Sequence, residues 1–182
     1  MQDYLPHRDQ ALAGWARVMA QAVTADPAGL GVTAAQAAAY DAAQQAFAAA
    51  LAVVLHYEVL SRLHRFLDDT TIGERPRILT LIFVLLFTHI AEIWLFGLSA
   101  FFLLQMPEQG GINGLDTITL FDTIYLSATT YSTLGYGDLT PTGHIRFLYG
   151  TEPLTGLVLI TWSASLTFIE LQTQWQGRRR HP

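Results

Sequence analysis

The stretch Ser132-Thr133-Leu134-Gly135-Tyr136-Gly137-Asp138 sits between two strongly apolar segments. Alone, Gly-Tyr-Gly-Asp is ordinary turn sequence, because Gly135 and Gly137 can take backbone angles at which a Cβ would clash. Its surroundings are not those of a soluble turn. Upstream, residues 120–132 read as a short amphipathic helix leading directly into the motif, too short to cross a bilayer. Downstream, Leu139-Thr140-Pro141-Thr142-Gly143 climbs out through a turn. Residues 78–106 are nearly continuous apolar sequence, about 43 Å long as a helix against a bilayer core of roughly 30 Å. Residues 153–171 form a second apolar stretch, rich in small and hydroxylated side chains such as Thr155, Gly156, Ser163 and Ala164. Small residues let helices approach closely in lipid, which suits an inner helix.

The order apolar span, short helix, Thr-x-Gly-Tyr-Gly, apolar span resembles the pore module of the potassium channel superfamily over roughly residues 77–175. The resemblance implies an all-α membrane protein: a two-transmembrane-helix module with a re-entrant pore helix and a filter. In that module the backbone carbonyls of Thr133, Leu134, Gly135 and Tyr136 replace the water shell of a potassium ion, with Gly137 closing the motif and the Thr133 hydroxyl added at its inner end. One chain supplies one strand of such a filter, so the resemblance implies a homotetramer around potassium as the permeant ion, with no other cofactor. Asp138, Tyr125, Thr129, Thr130 and Ser132 would support the filter. Two positions depart from the commonest form. Leu134 stands where Val or Ile is usual, and Thr129 where many members carry an acid that contacts the following aspartate. Asp138 is then expected to be held by a Tyr hydroxyl, a Trp indole or water.

Composition agrees with a membrane protein. Of 182 residues, 51% are hydrophobic and only 14% charged, and mean hydropathy is positive. Without cysteine there is neither a disulfide framework nor a thiolate metal site. The net charge of −5 is spread thinly, with no basic stripe for nucleic acid. His56, Glu58 and His64 form no metal-ligand pattern with a third residue, and no nucleophile motif is present, so no enzyme is expected.

All ten basic residues are arginine. Arg75 and Arg77 precede the first pore span and Arg178 to Arg180 follow the second, whereas the connection carries Glu108, Asp116, Asp122 and Asp138. This asymmetry predicts a multi-pass protein of the cell (inner) membrane, its filter mouth outside and its C-terminus cytoplasmic. Residues 46–76 comprise an extra helix and a linker. The helix, broken by His56 and Glu58, is read either as a third span or as an amphipathic helix on the membrane surface, the span being preferred. With it, the chain resembles small bacterial ion-channel proteins in which one helix precedes a two-helix pore. Residues 1–45 read as Ala-rich helical stretches of unknown role, with Thr33 as an N-cap, and residues 177–182 as a basic tail. The pore domain covers 77–176: outer helix 78–106, pore helix 120–132, filter 133–137, inner helix 150–174.

Candidate gating residues lie within the spans. His89 and Glu92 are three residues apart on one helix face, where ionisable groups are costly, and read as a hydrogen-bonded pair or a pH sensor. Pro153 and Gly156 start the inner helix and offer a bend. No arginine ladder of a voltage sensor is present. The leading expectation is passive potassium conduction; a weakly selective cation channel and a non-conducting membrane scaffold are the alternatives.

Overall fold

The computed structural model describes residues 34–70, 72–106 and 109–179. The expected cap at Thr33, the helix over residues 9–25 and the last three residues lie outside them. The chain divides into two compact units, Met1–Ala43 and Gln44–Pro182, and the second contains everything described below except the start of the first helix.

Among the described residues four helices make an all-α fold: α1 (Ala34–Asp69), α2 (Glu74–Leu103), the short α3 (Leu120–Tyr131) and α4 (Arg146–Arg179). Three are long and apolar enough to cross a membrane, over Ala46–Asp69, Glu74–Leu103 and Gly143–Thr173. Helix α1 runs unbroken through residues 45 and 46, where composition suggested a boundary. Helix α4 starts at Arg146 and not at residue 150, because the 3-10 turn Gly143–Ile145 feeds straight into it. Pro153 therefore lies inside the helix, where its ring removes the amide that would bond to the carbonyl of Tyr149.

Each long helix buries one narrow stripe. In α1 it is Ala48, Ala52, His56, Leu60, Leu63 and Leu67, at helical spacing. In α4 it includes Glu152, Gly156, Leu159 and Ser163. Two apolar clusters result. One joins Ala48, Ala52, Phe96, Ala100, Leu126, Tyr131, Leu148 and Leu159; the other joins Leu60, Leu63, Leu67, Leu81 and Leu85. Between them in sequence on α1, α2 and α4 stand His56, Glu92 and Ser163, all buried.

Small residues set the helix spacing. A Cβ on Gly97 would lie 2.8 Å from the Ile124 backbone, and one on Gly156 only 2.3 Å from the Tyr131 carbonyl oxygen. Both α2 and α4 thus press directly on α3. A two-stranded antiparallel ribbon, β1 (Gly111–Asn113) and β2 (Thr140–Thr142), pairs Ile112 with Pro141. It ties the loop after α2 to the chain leaving residue 138.

Candidate ion-conduction site

Helix α3 aims its C-terminus at the motif. Its start is fixed by a capping box: the Thr119 amide donates to Asp122 Oδ2 at 2.8 Å, and the Asp122 amide to Thr119 Oγ1 at 3.4 Å. The Thr119 hydroxyl and amide hold the Asp122 carboxyl below the usual carboxylate range. At the other end, the amides of Leu134 and Gly135 donate to the Thr129 carbonyl at 2.8 and 3.0 Å, and that of Thr133 to the Thr130 carbonyl at 2.9 Å. Carbonyls that any helix leaves unpaired at its last turn are thereby satisfied by the motif itself.

The backbone beyond α3 alternates in hand. Thr133 (φ 60°), Gly135 (φ 54°) and Gly137 (φ 80°) are left-handed, whereas Leu134 and Tyr136 between them are not. Such alternation turns successive peptide planes the same way, with amides along one edge and carbonyls along the other. Space around Gly135 and Gly137 is open, so glycine is required there by conformation and not by crowding. Thr133 is the one non-glycine residue with positive φ among the described residues, and such a residue costs about 1–2 kcal/mol.

All of Ser132 to Asp138 is exposed, Leu134 at 56% and Tyr136 at 67%. Leu134 is therefore left largely uncovered by its own chain. Tyr125 Oη donates to Asp138 Oδ2 at 2.8 Å, and the carboxylate pushes the phenol pKa up. Thr129, buried, bonds its own helix through the Leu126 carbonyl at 3.0 Å, and Ser132 Oγ donates to the Ala128 carbonyl at 2.7 Å. Thr129, Thr130, Gly135, Gly137, Tyr149 and Gly150 are among the residues lining a cavity of about 340 Å³ behind the motif.

A family model described as "Ion channel" matches residues 77–173, more than half of the chain. The chain belongs to that ion channel family. No curated protein and no solved structure matches it. It is accordingly a membrane protein of ion transport, and the match covers α2, α3, the motif and nearly all of α4.

In this channel protein His89 and Glu92 do meet, at 3.0 Å between Nδ1 and Oε2, but as part of a larger cluster. His56 Nδ1 lies 2.8 Å from Glu92 Oε1, and the Tyr131 hydroxyl donates to Glu92 Oε2. His89 Nδ1 also lies 3.0 Å from Tyr131 Oη. Both imidazole Nε2 atoms converge on Ser163 Oγ, at 3.0 Å from His89 and 3.3 Å from His56. Four helices thus supply one polar layer, and the partners of the His89–Glu92 pair are His56, Tyr131 and Ser163. The Trp162 ring lies 5.4 Å from that of His56, tilted by 44°. The ligand-type atoms of His56, His89 and Glu92 lie within 4.8 Å of one another.

Sequence reading passed over two further features. Glu152, fully buried, accepts from Ser127 Oγ at 3.4 Å; Arg77 donates to Glu170 and to the Leu67 carbonyl and reaches Asp68, joining α1, α2 and α4 away from the motif. Gly156, expected as a bend, sits against Tyr131 as a close contact.

Proposed function

We propose that the chain is one quarter of a potassium-selective channel. Four copies surround an axis lined by the carbonyls of Thr133, Leu134, Gly135 and Tyr136, which stand in for the hydration shell of a dehydrated potassium ion. The observation that carries this reading is the alternation of backbone hand over residues 133–137, with the first three amides turned back onto the end of α3. That arrangement leaves the carbonyl edge for an ion. Exposed Leu134 and Tyr136 support the tetramer, since neighbouring copies would cover them. Helix α3 adds the negative end of its dipole toward the axis, favouring a cation beneath the filter. Asp138, held by Tyr125, sits at the outer mouth with Asp122 and Asp116, where acidic charge concentrates cations; the arginine-bearing ends of α2 and α4 face the cytoplasm. Gating movement involves Pro153 and Gly156 of α4 and the His89–Glu92 pair of α2.

The test is the reversal potential of purified protein in liposomes under mixed potassium and sodium gradients. A potential near the potassium equilibrium value is expected. Equal permeabilities would reject the potassium reading in favour of a weakly selective cation channel, and absence of any flux would favour a scaffold subunit.

A further inference from the structure

The polar layer between the two apolar clusters can be counted in hydrogens. Five contacts need one each: His56 and His89 Nδ1 to Glu92, Tyr131 Oη to Glu92, and both Nε2 atoms to Ser163 Oγ. Two neutral imidazoles, a phenol and a hydroxyl bring four, and ionised Glu92 brings none. A sixth approach, His89 Nδ1 to Tyr131 Oη, adds to the demand. The cluster is therefore one hydrogen short, a deficit that a bound cation would also make good, in the part of the chain where an unpaired electron-rich group is most costly.

We propose that His56, His89 and Glu92 form a binding site for one divalent cation of the zinc class, with Tyr131 Oη as fourth donor. Ser163 Oγ has two lone pairs, so it accepts an N–H from both Nε2 atoms. That fixes both rings in the tautomer whose bare Nδ1 faces Glu92. A hydrogen bond from the far nitrogen of a ligating histidine is the usual way of orienting it toward a metal. Two imidazole nitrogens and one carboxylate are a donor set for zinc, and the absence of cysteine leaves no thiolate to attract a softer ion. Donors about 2.0–2.1 Å from a tetrahedral ion stand about 3.3 Å apart. Glu92 lies 2.8 and 3.0 Å from the two Nδ1 atoms through its two oxygens, and the whole donor set lies within 4.8 Å, so an ion would loosen the carboxylate–imidazole contacts slightly and draw the widest pair together.

Charge balances as well. The divalent ion meets the Glu92 carboxylate and, on loss of the phenol proton to solvent, the Tyr131 phenolate, so the site is neutral in lipid and no electron moves. His89, 17% exposed at its side chain, is the ligand an ion reaches first, Glu92 and His56 being fully buried. Tyr131 directly precedes Ser132 and its carbonyl abuts Gly156. A bound ion pins the last turn of α3 to α1 and α2, and Ser163 extends that grip to α4. This second consequence rests on the conduction reading; the site itself does not.

Full-length protein purified in detergent, stripped with chelator and re-equilibrated with zinc, is expected to retain one zinc per chain by elemental analysis. His56→Ala and Glu92→Gln should each weaken zinc at least tenfold in competition with a chromophoric chelator, while Ser163→Ala keeps the stoichiometry with weaker affinity. Cobalt should give the visible bands of a four-coordinate site, and His56→Cys should add a thiolate-to-cobalt charge-transfer band, a readout that does not depend on the alanine variants folding. Zinc-free wild type, unchanged zinc in His56→Ala, or a pH-dependent flux with no stoichiometric metal would overturn the site. Zinc bound without any change in potassium flux would overturn the link to the filter, and a protein that binds zinc yet passes no ions would refute conduction alone.

Discussion

The motif at 132–138 and the polar layer around Glu92 adjoin at Tyr131, which belongs to the layer and directly precedes the motif, yet they are built on opposite plans. The motif works with backbone, is contiguous in sequence, and is exposed along its whole length. The polar layer works with side chains, is drawn from four helices, and centres on two fully buried groups, His56 and Glu92. One has its conformation written locally, in glycines at alternate positions. The other exists only once the helices have packed. The difference teaches that substitutions should divide by their largest effect, those in the motif acting first on transport and those in the layer first on stability.

The largest effect expected is on flux. Alanine at Gly135 must adopt a left-handed backbone at about 1–2 kcal/mol, in every copy of the proposed tetramer, and Gly135→Ala should abolish potassium flux while lowering the melting temperature by only a few degrees. Next, Glu92→Ala strips a buried charge from its imidazole partners and should cost about 3 kcal/mol in detergent unfolding. A larger thermal loss in Gly135→Ala than in Glu92→Ala would break the comparison. Gly156→Ala probes the junction between the regions: its Cβ would meet the Tyr131 carbonyl oxygen at 2.3 Å, so α4 must back away, at about 1–3 kcal/mol and with altered open dwell times in single-channel recordings.

Smaller is Tyr125→Phe, which removes a partly exposed hydrogen bond worth about 1 kcal/mol or less and should change inactivation while leaving selectivity intact; unchanged dwell times would show that Asp138 needs no such support. Smallest is a pH effect at the capping box. The Asp122 carboxyl is held below its ordinary range, so its contribution is complete above the unfolded value of about 4 and fades as pH falls through the lower folded value. Thr119→Ala should lower the melting temperature at pH 7 and make less difference at pH 3; an equal difference at both pH values would exclude this linkage.

Legibility in sequence followed the same division. The motif, the short helix before it and the apolar spans were readable because each depends on neighbours in the chain: glycine spacing, a twelve-residue amphipathic run, continuous hydropathy. The polar layer was half-readable. His89 and Glu92 share a helix face, but Tyr131 and Ser163 looked like ordinary members of their segments and His56 like a flaw in a span. The signal present was register: His56 falls four residues after Ala52 and four before Leu60, in the stripe that α1 buries. Nothing in the sequence alone names which other stripe it meets. The two-stranded ribbon was hidden for a similar reason, since Thr140 to Thr142 find their partners some thirty residues upstream. The early start of α4 went unseen because Pro153 looks like a first-turn residue.

Helix α4 is held along its buried stripe, at Gly156 by contact with the Tyr131 carbonyl and at Ser163 by the two imidazoles, and near its far end at Glu170 by the Arg77 guanidinium, which also grips the end of α1. A rod pinned at several points does not swing like a door. Freed at Glu170, it would bend beyond Ser163 and carry its far end outward; held there, it can only bow. Severing one ion pair would thus change the kind of motion available to the helix as well as its extent.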